Sequence, residues 1–321
     1  MNMRLPLAAL LALHALLTAG QGHYMGSSFN PNDYFAPPPG FIVPLYYSYA
    51  DMNFHNASGS RSDQVINPVP GDPTTLSIQQ NVRTNAFIAI VLYGGKKKVF
   101  GADWGLLVLP MVNNPSANIA LDYYSTQTGT GTAAISTTSW GLGDLYVQPL
   151  WFSWAKAKWT YGLSYGVWLP VGKYSPGSAE NVGLGYASHN VRVALKRKLS
   201  ATWSASVVNT LELNHGQEGV DFKEAPHNTL DAGAYHTFKQ GHELGFFGHW
   251  TTQVGMDQGT EGSFVSDRMF GIGGYGSYWI TPYKFGLLAR VTQNIGINDR
   301  YGGTAFSIGV NLLFLDLPVA Q

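Results

Sequence analysis

The chain has 321 residues, and only 12% of them are charged, about half the share usual in soluble domains. Nineteen Lys and Arg balance nineteen Asp and Glu, so no bulk positive charge points to nucleic acid. The absence of cysteine excludes a disulfide scaffold, a thiolate metal site and a cysteine nucleophile, and an aromatic content of 13% argues against disorder.

Residues 1–20 read as a secretory signal peptide: one positive charge at Arg4, the apolar run Leu5 to Leu17, then the small residues Ala19 and Gly20. The apolar run is too short to span a bilayer as a helix, which needs about 20 residues. Residues 21–39 are rich in Pro, Asn and aromatics and show no strand-like alternation. This segment either trails in the periplasm or folds into the body of the protein as a plug. The cost of leaving Tyr24, Phe29, Tyr34 and Phe35 in water favours the plug.

From Gly40 onward the hydrophobic period is two. Trp203, Ala205, Val207, Asn209, Leu211 and Leu213 alternate with Ser204, Ser206, Val208, Thr210, Glu212 and Asn214. That is a strand with one apolar and one polar or small face. The pattern predicts about twelve strands: 40–54, 74–93, 98–112, 143–155, 158–170, 187–198, 202–214, 228–239, 242–255, 268–280, 283–297 and 304–315. The joining segments alternate between short and long. The long ones fall at 55–73, 113–142, 171–186, 215–227, 256–267 and 298–303. An even number of long strands with short turns at one end predicts an all-β, transmembrane, antiparallel up-and-down barrel over 40–315, followed by a tail at 316–321. Its setting is the outer membrane of a Gram-negative bacterium.

Charge separates along the same axis. Lys96, Lys97, Lys98, Lys156, Lys158 and Lys198 cluster at the short turns, whereas Asp72, Asp122, Glu180, Glu218, Asp257 and Glu261 lie in the long connections. Two wet rims explain this; an acidic mouth that attracts divalent cations or repels anions is the functional alternative.

Several elements have a familiar look. Gly22-His23-Tyr24 and Asn32-Asp33-Tyr34-Phe35-Ala36-Pro37-Pro38-Pro39-Gly40-Phe41 lead into Tyr46-Tyr47-Ser48-Tyr49. Later come Gly141-Leu142-Gly143-Asp144-Leu145 and Trp168-Leu169-Pro170-Val171-Gly172-Lys173-Tyr174. Together they resemble the family named for the MetA pathway of phenol degradation, a group of predicted outer-membrane barrels. The resemblance implies uptake of aromatic or other hydrophobic compounds. It departs from the usual barrel at the end, where Phe314 is followed by Leu315 to Gln321 rather than closing on a terminal aromatic.

Catalytic and cofactor motifs are weak. Gly271-Ile272-Gly273-Gly274-Tyr275-Gly276 matches a dinucleotide fingerprint in letters, but it continues as strand rather than helix, so the glycines read as packing positions. His242-Glu243 does not continue to a second histidine. No cofactor, metal or enzyme is expected. Strand parity selects a lumen lined by the aromatics Tyr146, Phe152, Trp154, Trp168, Tyr235, Phe247, Tyr275 and Trp279. The same parity adds the charges Arg83, Asp103, Arg192, Glu212, Asp231 and Arg290. Aromatics interspersed with polar groups suit an amphipathic ligand, and the expected function is passive uptake of a small hydrophobic or aromatic compound. The alternatives are a structural or adhesion barrel whose loops bind a partner and, third, a lipid hydrolase. Expected partners are outer-membrane lipid and lipopolysaccharide, the solute and the barrel-assembly machinery, with no nucleic acid.

Overall fold

The computed structural model describes residues 22–66, 74–125, 129–178, 180–260, 265–282 and 284–315. The expected signal peptide and the C-terminal tail lie outside the described residues. Twelve antiparallel strands close into a barrel. They are β1 Gly40–His55, β2 Thr74–Ala89 continued by Val91–Gly94, and β3 Asp103–Leu109 continued by Met111–Ser125. β4 runs in three pieces, Gly129–Thr138, Gly141–Leu142 and Leu145–Lys156. Then come β5 Trp159–Leu169, β6 Ser188–Lys198, β7 Trp203–Asn214, β8 His227–Thr237 and β9 Glu243–Gln253. β10 Arg268–Thr281, β11 Phe285–Asn298 and β12 Arg300–Leu315 complete the wall. The seam joins the two ends of the barrel chain, pairing β1 with β12 from Gly40↔Leu315 to His55↔Arg300. Closure leaves no open edge around the wall, which lipid would not tolerate.

Several of the long connections differ from expectation: Ser62–Ile66 pairs with β2, and Phe222–Lys223 pairs with Gln258–Gly259 between two other connections. Most of 113–142 is strand, because β3 and β4 continue beyond the barrel body as a paired hairpin, from Ser116↔Thr138 to Ser125↔Gly129. The connection at 298–303 shrinks to a turn on Asp299, whose φ of 49° lies in the left-handed region.

The outer face is apolar through the body of the barrel. Val193, Val207, Phe246, Ile272, Leu287 and Phe314 are all more than 40% exposed. In water such a continuous belt would be an aggregation surface; against hydrocarbon it is the matching solvent. The inner face is polar and aromatic, and its glycines make room for rings. A Cβ on Gly273 would run into the Phe247 ring and the Val291 carbonyl, whereas the neighbouring Gly274 points outward with its nearest atom at 3.3 Å. The fingerprint-like glycines are thus packing positions in β10. Gly273→Val should cost about 1–3 kcal/mol by overpacking and lower the heat-modifiable folded fraction on a denaturing gel. Gly274→Ala should fold as the parent does. Equal folding of the two variants would remove Phe247 packing as the reason for Gly273.

Candidate functional site

The lumen is built around residues 22–39. This segment contacts inward-facing side chains along the whole barrel, with its amino end at the long-connection end. At that end the backbone N–H groups of His23 and Tyr24 donate to the Glu212 carboxylate at 2.7 and 3.0 Å. His23 Nε2 meets Asp144 Oδ2 at 2.9 Å, its Nδ1 meets Ser188 Oγ at 2.6 Å, and its ring stacks on Trp168 at 5.2 Å. One step further in, the Tyr24 hydroxyl donates to Asp231 at 2.8 Å, and the Ser27 hydroxyl does so at 3.2 Å. Asn30 accepts from Arg290 at 3.1 Å, and Asn32 accepts from Lys196 at 3.0 Å and from Tyr235 at 2.9 Å. Towards the short-turn end, Trp151 donates to the Tyr34 carbonyl at 3.1 Å and Ala36 N–H donates to Ser153 Oγ at 2.8 Å. Pro37 and Pro38 then lie so close to Gly94 that a Cβ there would meet the Pro38 carbonyl. A segment rich in Pro and Asn suits this position. It forms no ladder of its own, and beyond local bonds such as Asp33 N–H to the Asn30 carbonyl at 2.9 Å it is tied to the wall by hydrogen bonds.

Arg192 is the hub. Its guanidinium lies 5.2 Å from the ring centres of Tyr24 and Phe29 and 5.4 Å from that of Tyr34, and it donates to Thr210 and Gln148 at 3.1 and 3.0 Å. Only 3% of the residue is exposed. Cation–π contacts and hydrogen bonds together compensate a charge that would otherwise be costly to bury.

Most of the expected lumen residues do face inward. Tyr146, Trp168, Tyr235, Phe247 and Tyr275 lie on the inner face, and Trp279 sits at the short-turn rim, donating to the Gly241 carbonyl at 2.9 Å. Arg192, Glu212, Asp231 and Arg290 also face inward, but each is engaged with residues 22–39. Asp103 has inner-face parity and lies at the short-turn rim, half exposed and paired with Lys98 at 3.1 Å.

Three expectations are corrected. Phe152 and Trp154 face outward, because the β4–β5 register shifts between Tyr165 and Val167, opposite Val147 to Leu150. Pro149 lies in this stretch and cannot donate to a ladder, and the resulting bulge turns Trp151 and Ser153 inward instead. Arg83 also faces outward, paired with Asp51 at 3.3 Å and 57% exposed. On β2 the apolar side chains Ile78, Ile88 and Ile90 all turn inward, and Arg83 shares the outer face with Phe87.

Ser188, His23 and Asp144 stand in the order hydroxyl, base and acid found in hydrolases. Ser188 is 0% exposed, and the imidazole is enclosed by Trp168 and Tyr186, so no substrate reaches the hydroxyl. The trio anchors a chain segment. Nearby, Glu224, His227 and Asp267 lie within metal-ligand distance of one another. Arg300 already donates to both Asp267 oxygens at 3.1 and 3.0 Å, and His227 Nε2 meets Asp267 at 2.9 Å. Burial pushes the Asp267 carboxyl up, but the Arg300 charge and the His227 hydrogen bond outweigh it and hold it below the usual carboxylate range. The cluster binds β8, β10 and β12 together.

A cavity of about 1050 Å³ lies between β1–β3 and β10–β12. Tyr46, Ile88, Met111 and Leu288 line it from the inner face, and Tyr47, Phe87, Val112 and Tyr278 from the outer face. Apart from Glu243, Ser277 and tyrosine hydroxyls, the lining is apolar. Two strands break beside it, but the ladder stays hydrogen-bonded across the breaks. β2 breaks at Ile90 and β3 at Pro110, where Ala89 N–H donates to the Pro110 carbonyl at 3.1 Å and Ile90 N–H to the Pro44 carbonyl at 2.9 Å.

The chain is similar to the COG4313 outer membrane channel from Pseudomonas putida F1, with 14% identity, 89% of this chain and 100% of that chain covered, and a TM-score of 0.62. A Pseudomonas aeruginosa FadL homologue gives 11% identity, 92% and 98% coverage and a TM-score of 0.44. The first likeness shows the fold of an outer-membrane barrel. No curated protein matches. The sequence profile of the family described as MetA-pathway of phenol degradation matches residues 56–310, most of the chain, and the protein therefore belongs to that family.

Proposed function

We propose that the protein is a passive uptake channel for small hydrophobic or aromatic compounds, reaching the outer membrane by signal-peptide export and the barrel-assembly machinery. The cavity between β1–β3 and β10–β12 carries this reading. It is the size of a small-molecule site, it is mostly apolar, and residues of both faces of the wall line it. Residues 22–39 act as a plug that closes the axis to water and polar solutes, so a hydrophobic solute crosses through the wall cavity. In this reading the aromatic and charged lumen residues hold the plug, and Tyr46, Ile88 and Met111 meet the solute. The similar Pseudomonas putida barrel is an outer membrane channel, which agrees with transport. The structural or adhesion barrel draws support from the same filled axis and predicts no flux.

In proteoliposomes, the protein should accelerate entry of a radiolabelled monocyclic aromatic and leave sucrose excluded. Ile88→Arg, which puts a charge in the apolar cavity, should lower aromatic flux about tenfold or more, a charge in a low-dielectric cavity costing well over 1.4 kcal/mol. Deletion of residues 22–39 should open the axis and raise single-channel conductance in a planar bilayer, with folding checked by heat-modifiable migration. Absence of aromatic flux through the folded parent would leave the structural barrel as the better account.

The long-connection end faces the cell exterior. An epitope inserted at Gly219 should be labelled on intact cells, and one at Lys97 should not; the opposite pattern would invert the barrel. A fluorophosphonate that labels serine hydrolases should leave the folded protein unmodified. Labelling at Ser188 would overturn the anchoring role of His23 and reopen the hydrolase reading.

A further inference from the structure

The outer face of β1–β4 changes character abruptly along the strands. One rung across the sheet reads Tyr47↔Phe87↔Val112↔Leu142, with the Tyr47 and Phe87 rings 5.4 Å apart. Beyond it, along the same strands and on the same face, come the rungs Tyr49↔Asn85↔Asn114 and then Asp51↔Arg83↔Ser116↔Thr138. The next reads Asn53↔Asn81↔Asn118↔Ser136. A row of amides and hydroxyls cannot face acyl chains without a large desolvation cost, so the hydrocarbon ends at the Tyr47–Phe87 rung. The polar rungs stand in the layer immediately outside it.

This polar face is recessed. A cavity of about 310 Å³ opens here, with Asn53, Arg61, Asn81, Asn118 and Ser136 on its polar side and Ala120, Ala134 and Ile135 on its apolar side. Its polar groups are held in place. Asn81 Nδ2 donates to Asp51 Oδ1 at 2.6 Å and to Asn53 Oδ1 at 3.3 Å, and Ser136 donates to Asn118 Oδ1 at 2.8 Å. The Arg83 guanidinium contacts Asp51 through Nε at 3.3 Å and stays 57% exposed. Sugar hydroxyls both donate and accept, and a rung of amides and hydroxyls offers both functions in a fixed array. The two arginines add donors suited to phosphate or carboxylate oxygens.

We infer that this face of β1–β4 is a binding site for the phosphorylated core saccharide of lipopolysaccharide, seated in the Asn53–Asn81–Asn118 recess with its anionic groups on Arg83 and Arg61. The outer leaflet places that saccharide, and no other abundant ligand, directly above the acyl chains. The inference rests on the outward orientation of the long-connection end, and it is independent of which solute crosses the wall. The site fixes the height of the barrel in the outer leaflet and keeps lipopolysaccharide packed around β1–β4.

The test uses the full-length mature protein in detergent and the deacylated core oligosaccharide as probe, followed by native mass spectrometry. The parent should retain one oligosaccharide per chain. Arg83→Ala should weaken binding about tenfold, the loss expected of one charge-assisted hydrogen bond. Asn118→Trp, which fills much of the recess with a large apolar side chain, should abolish binding. Heat-modifiable migration and aromatic flux should be unchanged in both variants, which separates failure of this site from failure of the transport reading. Lack of oligosaccharide binding by the folded parent would overturn the inference, and so would equal binding by the parent and both variants. Retention of intact lipopolysaccharide but not of its deacylated core would place the contact on acyl chains and overturn it equally.

Discussion

A buried guanidinium organises the lumen. Arg192 has lost its water, and the wall offers its guanidinium Thr210 and Gln148 as hydrogen-bond acceptors. Three aromatic rings from residues 22–39 close around the charge, and one of them, Tyr24, donates its hydroxyl hydrogen bond to the Asp231 carboxylate. The segment therefore stabilises the wall as much as the wall stabilises the segment. A ring of twelve strands is too wide to be filled by its own side chains, as an eight-stranded barrel is. Gln148, Asp231 and Glu212 would stand in a water-filled bore if nothing else occupied it.

The same constraint explains the sign of the contacts. The segment supplies mainly N–H groups, hydroxyls and amide carbonyls, with Asp33 its one carboxylate, and the wall supplies most of the charges. Backbone donors at His23 and Tyr24 meet Glu212, and the Asn30 and Asn32 carbonyls meet Arg290 and Lys196. Neutral hydrogen-bonding groups can satisfy a buried charge without bringing a second desolvation cost of their own, so the interface is polar and firmly held at once.

Much of this was legible in the amino-acid sequence. The period-two pattern over Trp203 to Asn214 placed a strand within a residue of its observed bounds, and the inward positions of Tyr235, Phe247 and Tyr275 followed from parity alone. Parity fails where the chain gains a residue. A single bulge near Pro149 exchanged Phe152 and Trp154 for Trp151 and Ser153, and the proline was the signal that could have located it. It failed differently at Arg83. Along β2 the apolar side chains Ile78, Ile88 and Ile90 face inward at every height, so Arg83 falls on the outer face with Phe87, and the rule that the apolar stripe is the outward one misplaces it. The partners of the buried charges were hidden for another reason: His23 and Glu212 are 189 positions apart, and no local pattern connects them.

The location of the seam links the interior of the barrel to its closure. β1 and β12 pair along their full length, and residues 22–39 run directly into β1 from inside the cylinder they close. The segment that fills the lumen is continuous with the strand that closes the wall, so one stretch of chain through Gly40 couples the filling of the axis to the sealing of the seam.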